Sequence, residues 1–104
     1  MAKEDDMREY RALSQQYQMV VLQKRSLEAQ KAEIDGTLAE LENAKGKLYY
    51  AAGAVLIEKT KAEITSKLEG QKKDIVETLE KLDVQEKKVR KKLEELQKSL
   101  QGSD

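Results

Sequence analysis

The sequence contains no cysteine, no histidine, no proline, no phenylalanine and no tryptophan. Each absence removes something. Without cysteine there is no disulfide and no thiol chemistry. Without histidine as well, the usual zinc sites and His-based acid–base or triad catalysis lack their ligands and bases. Without proline, nothing in the chain forces a helix to break. Four tyrosines are the only aromatic residues, so a chain of 104 residues has little with which to fill a large globular core. No apolar run approaches the roughly 18 residues that a membrane helix needs, and no membrane partner is expected. The opening residues, MAKEDDMREY, are acidic and polar and do not read as a signal peptide, which makes the cytoplasm the expected location. The five glycines are scattered and form no phosphate loop. The carboxylates fall mainly on solvated helix faces. The chain therefore reads as a non-enzyme with no cofactor and no metal site.

What is present is charge. Charged residues make up 38% of the chain, with 20 basic against 20 acidic and a net charge of zero, so nucleic acid is not an expected partner. High charge with strong periodicity is the composition of long helices and coiled coils. A first arm, from about Glu4 to Lys45, carries Tyr10, Leu13, Tyr17, Val20, Lys24, Leu27, Lys31, Ile34, Leu38, Leu41 and Lys45 in alternating steps of three and four, and the same steps run on to Leu48. A second arm, from about Lys61 to Gln101, carries Leu68, Lys72, Ile75, Leu79, Leu82, Glu86, Val89, Leu93, Leu96 and Leu100. These are coiled-coil seams. Thr60-Lys-Ala-Glu63 is a capping box at the start of the second arm, and Gly46 suits a C-terminal cap on the first. Each arm would run about 60 Å.

Antiparallel pairing of the two arms requires a nearly constant number sum across the seam. Val20 with Val89, Leu13 with Leu96, Leu27 with Leu82, Ile34 with Ile75 and Leu41 with Leu68 all sum to 109. The alternate layers sum to 110: Tyr10 with Leu100, Tyr17 with Leu93, Lys31 with Leu79, Leu38 with Lys72. In the same series Lys24 falls opposite Glu86. Two polar breaks of opposite charge in separate seams predict a pair that fixes register, the alternative being two solvated seam edges. Gly36 and Gly70 interrupt the arms near one another and read either as a flex point or as a tolerated weak spot.

The connector, KLYYAAGAVLIEKT at 47–60, is longer than the two to five residues an αα-hairpin needs. A two-residue turn at Gly53-Ala54, of type II′, pairs Ala52 with Val55, Tyr50 with Ile57 and Leu48 with Lys59. One face then carries Leu48, Tyr50, Ala52, Val55 and Ile57, and the other Tyr49, Ala51 and Leu56. Both are substantially apolar. An isolated two-stranded hairpin is marginal in water and leaves its edges unpaired. Strands from several copies closing into a barrel would remove the edges, which makes this an oligomerisation device; the alternative is a hairpin folded back on its own helices. The fold class expected is mainly α: a long antiparallel two-helix coiled coil joined by one β-hairpin that assembles into an oligomeric β-barrel body.

At LYYAAGAVLIEKT (48–60) and YQMVVLQKRSLEAQKAEI (17–34) the sequence resembles the prefoldin family, in its β class, which has a single hairpin between two long helices. The resemblance covers the whole chain as one domain, 1–104. Two features depart from the family pattern: NAKGK replaces a proline-containing linker, and Tyr50 and Ala51 stand where the family often has Lys and a larger residue. The resemblance implies a hexamer of two α-class and four β-class subunits with two β-barrels and six coiled coils. It also implies ATP-independent capture of unfolded client proteins between the coil tips, and their delivery to a group II chaperonin.

A client surface is sought among apolar residues that one seam cannot cover. Met19, Val21 and Leu22 lie off the seam beside Tyr17 and Val20, and exposed apolar side chains in a polar arm suggest a contact surface. Met7, Tyr10, Leu13, Val89, Leu93, Leu96 and Leu100 join them if the terminal turns splay; otherwise the seam members among them are core. The cluster Lys87, Lys88, Arg90, Lys91 and Lys92 is a solvated face with i,i+4 partners or a dock for an acidic chaperonin surface. A structural coiled-coil adaptor remains the alternative function: it would want covered seams and one defined partner.

Overall fold

Forty-one residues without a proline form one continuous helix, α1 (Ala2–Glu42), in a computed structural model that describes residues 2–102. Met1, Ser103 and Asp104, the ends of the expected 1–104 domain, lie outside the described residues. Glu4 and Asp5 in the first turn of α1 complement the positive end of its dipole. Two strands follow, β1 (Leu48–Ala52) and β2 (Val55–Lys59), and then a second helix, α2 (Lys61–Gly102).

The ends of the helices are set by identifiable groups. At the start of α2 the capping box is complete. The Glu63 amide donates to Thr60 Oγ1 at 3.1 Å, and the Thr60 amide donates back to Glu63 Oε1 at 3.4 Å. The Thr60 hydroxyl adds a bond to the same carboxylate at 3.0 Å. These bonds to Thr60, first the hydroxyl and then the amide, hold the Glu63 carboxyl below its ordinary pKa.

The end of α1 differs from the expectation. The helix stops at Glu42, not near Lys45, with the Asn43 and Ala44 amides reaching back three residues to Glu40 and Leu41 carbonyls. Lys45 and Leu48 are therefore not seam residues of a helix, Leu48 opening β1 instead, and Gly46 is not the cap. Gly46 sits in the linker with φ +84°, a backbone conformation that favours glycine. The capping group is Lys61, whose Nζ donates to the Glu42 carbonyl at 2.8 Å.

The chain divides into two units, each with its own stretch of the helix pair. One joins the α1 residues up to Leu27 with the α2 residues from Thr78 onward; the other is Glu28–Glu77. In the first, Val20, Leu82 and Val89 are buried, and Leu13, Tyr17, Leu27, Leu93, Leu96 and Leu100 are half-buried. In the second, Leu41 is buried, with Ile34, Leu38, Leu48, Leu68 and Ile75 half-buried. Every one of these belongs to the predicted seams or to β1. Burying a Val or Leu side chain stabilises by about 1.5–3 kcal/mol. A core this thin leans on its long half-buried row and on polar contacts for specificity.

Candidate functional site

The hairpin adopts the predicted register: Leu48 opposite Lys59, Tyr50 opposite Ile57, Ala52 opposite Val55. Gly53 has φ +62° and, among the described residues, no non-glycine residue has positive φ, so the turn has its left-handed residue first, as type II′ requires. Among the described residues the sheet has two strands, and both outer edges are unpaired. Tyr49, Val55 and Leu56 are 54%, 60% and 68% exposed, and Ile57 is 41% exposed. Ala52 and Gly53 are exposed too, while Leu48 and Tyr50 are half-buried. Tyr50 leans on α2, where the Lys67 ammonium sits 3.5 Å from its ring centroid. An open groove of about 580 Å³ lies there, lined by Tyr50, Lys59, Ala62 and Lys67 among others. Leu48 and Tyr50 are thus covered in part, while Tyr49, Ala51, Ala52, Val55, Leu56 and Ile57 stay exposed.

A polar layer crosses the first unit. Lys24 Nζ donates to Glu86 Oε2 at 2.5 Å and to Asp83 Oδ1 at 3.1 Å. The Lys24 and Glu86 side chains are only 21% and 14% exposed, so the pair is shielded more than an ordinary surface bridge. Bonding to Glu86, then to Asp83, raises the Lys24 pKa. The Lys24 bond lowers the pKa of Glu86, and that bond followed by Lys87 lowers that of Asp83. Lys87 lies 3.3 Å from Asp83, Arg90 4.0 Å from Glu86, and the Tyr17 hydroxyl makes a long 3.5 Å contact to Glu86. The sequence brings Lys24 to Glu86 by number sum, without Asp83. The signal was available, because Asp83 lies one turn before Glu86 on the same helix.

The off-seam residues separate by exposure. Met19 and Leu22 are 63% and 62% exposed, Met7 is exposed, and Val21 is half-buried. Tyr17, Gln18, Val21, Leu22 and Arg25 line an open groove of about 330 Å³. Tyr10, Leu13, Leu93, Leu96 and Leu100 are half-buried and Val89 is buried at 4% exposure, so these six reach a client only where the pair opens. Val84, 54% exposed on α2, is an apolar surface residue that the seam pattern does not single out. Among the described residues no group of three or more His, Cys, Asp or Glu could hold a metal ion, and no helix is long and apolar enough to cross a membrane.

Three comparisons with known proteins bear on this arrangement. A family model described as "Prefoldin subunit" matches residues 4–103. Among solved structures, the chain is similar to the prefoldin beta subunit from Thermococcus strain KS-1, with a TM-score of 0.89 and 26% identity over 96% of this chain and 90% of that one. It is also similar to the prefoldin beta2 subunit from the same strain, with a TM-score of 0.75 and 22% identity over 84% of this chain and 95% of that one. No curated protein matches the sequence significantly.

Proposed function

The chain belongs to the prefoldin subunit family and is a subunit of a prefoldin-type chaperone, and from that premise we propose that it is an ATP-independent holding subunit that keeps unfolded polypeptides from aggregating. The observation that carries the holding role is the exposure of Met19 and Leu22, and less strongly of Met7, on a helix whose outer face is mainly polar. Weak apolar contacts from adaptable side chains suit clients with no common shape. Val21 and Tyr17 extend that surface, and the half-buried seam residues Tyr10, Leu13, Leu93, Leu96 and Leu100 enlarge it when the helices part.

Assembly follows from the hairpin. Its bare apolar faces and unpaired edges support a body in which strands of several subunits close into β-barrels. The composition we propose is two α-class and four β-class subunits, this chain supplying the β class. Its single hairpin and its similarity to a solved beta subunit support that choice. Held clients pass to a group II chaperonin, and the whole operates in the cytoplasm.

Aggregation suppression with two unrelated unfolded substrates tests the reading. Changing Met19, Val21 and Leu22 together to Ser is expected to leave assembly intact and to weaken suppression of both. Suppression unchanged by the triple substitution removes this surface as the client site. Dependence on a single defined partner, with neither substrate held, favours a coiled-coil adaptor instead.

A further inference from the structure

The groove on α1 has a charge bias that its apolar character does not require. Between Glu9 and Glu28 the helix carries no carboxylate, in a chain whose acidic and basic residues otherwise balance at 20 each. Arg25 stands at the groove wall, exposed and without an ion-pair partner among the described residues. The carboxylates Asp83 and Glu86 on α2 are engaged by Lys24, Lys87 and Arg90. Arg25 is the charged residue of the groove lining, and the stretch free of carboxylates carries Arg11 and Lys24 besides. Leu22 and Val21 give the groove its apolar wall, and Gln18 offers neutral hydrogen bonding beside them.

Resting on the holding role proposed above, we propose that this groove selects among clients by charge: it takes apolar segments of non-native polypeptides that are flanked by acidic residues, and disfavours those flanked by basic ones. The apolar core of such a segment covers Val21, Leu22 and Met19. The flanking carboxylate meets Arg25 at the groove wall. Exposed ion pairs are individually weak and screened by salt, so they bias the choice without making the surface specific for one sequence. A holding subunit with this bias sorts its clients before any partner chaperone meets them.

The test uses the full-length chain in its native assembly and synthetic peptides with one Leu/Val core, flanked by glutamates, lysines or glutamines, followed by fluorescence anisotropy. At low salt the glutamate-flanked peptide is expected to bind about fivefold more tightly than the lysine-flanked one. That ratio should fall toward one at about 0.5 M salt. Arg25→Gln should bring the ratio toward one without added salt, and Arg25→Glu should invert it, with helical content checked by circular dichroism. Equal affinity of the wild type for acidic and basic peptides, while the glutamine-flanked peptide still binds, overturns the charge selection and leaves the holding role standing. Loss of all peptide binding overturns both. A single-stranded oligonucleotide that displaces the peptides overturns the proposal in favour of nucleic acid.

Discussion

Lys72 Nζ lies 2.6 Å from Asp35 Oδ1, and the two residue numbers sum to 107, as do those of Lys24 and Asp83. In both places a seam lysine reaches not straight across but to a carboxylate one turn before its layer partner on the facing helix. The layer partner is Leu38 in one case and Glu86 in the other. The long lysine stem packs along the seam while its ammonium leaves it sideways. The same offset in two separate units states the antiparallel register twice.

Reversing one charge at the polar layer should be costly and largely reparable. Lys24→Glu is expected to lower the melting temperature by several degrees, because three carboxylates then crowd one layer. Adding Glu86→Lys should recover most of the loss. Recovery will be incomplete, since the introduced glutamate still faces Asp83. Thermal unfolding followed by circular dichroism measures all three proteins, and a double variant no more stable than the single one refutes the pairing.

Lys31 occupies a seam position like Lys24 and Lys72, but the residue at its 107 partner position is Val76, and no ion pair holds it among the described residues. Lys31→Leu is therefore expected to raise the melting temperature, as polar seam residues without partners cost stability. Lys24→Leu is expected to lower it, because Asp83 and Glu86 are left facing each other. Opposite signs from the same substitution at equivalent positions are the outcome to look for.

Stability should depend on pH in a definite direction. Asp83, Glu86 and Glu63 have lowered pKa values in the folded chain. Their contribution is thus present above their unfolded values and lost as pH falls through the folded ones. Lys24 has a raised pKa, so its contribution is full below its unfolded value and lost only as pH rises through the higher folded one. A plateau is expected between about pH 5 and pH 10, with a fall below about pH 4. Removing Lys24, Asp83 and Glu86 together as Met, Asn and Gln should shallow the acid limb in melting experiments.

The hairpin variants separate assembly from folding. Gly53→Val forces a β-branched residue into φ +62° and should weaken association. Leu56→Asp places charge on a 68% exposed apolar side chain and should abolish association while leaving helical content unchanged. Native mass spectrometry, with and without an α-class partner, reads both. Full assembly of the Leu56→Asp protein counts against the strand-closed body.

Gly36 and Gly70 sit inside α1 and α2 with nothing within 4 Å of where a Cβ would stand. Gly36→Ala and Gly70→Ala should each stabilise by about 1 kcal/mol. If aggregation suppression falls as the melting temperature rises, the two positions serve as flex points; if it is unchanged, they are tolerated weak spots.

The sequence legible here was mainly its periodicity. Steps of three and four along Tyr10 to Leu41 and Leu68 to Leu100 named the seam, and the number sum named Lys24 and Glu86 as neighbours. The hairpin register was readable because one glycine at 53 leaves a single economical turn. The end of α1 was not, because the seam step to Lys45 continues in sequence after the backbone has left the helix, and the group that caps it lies on the other side of the connector. The sideways lysine bonds to Asp35 and Asp83 were missed for a related reason: layer counting describes where Cα atoms face, not where a four-carbon stem ends. The division of the apolar residues into exposed Met19 and Leu22 and buried Val89 follows from heptad position, whereas the groove beside Arg25 depends on side-chain conformations that no pattern records.

The bond from Lys61 to the Glu42 carbonyl has a mechanical consequence. It ties the exit of one helix to the entrance of the next on the near side of the hairpin, within the chain and before any neighbour docks. A subunit gripped by its strands therefore meets its neighbours with the root of the helix pair already tied, by one exposed bond that opposes splaying there.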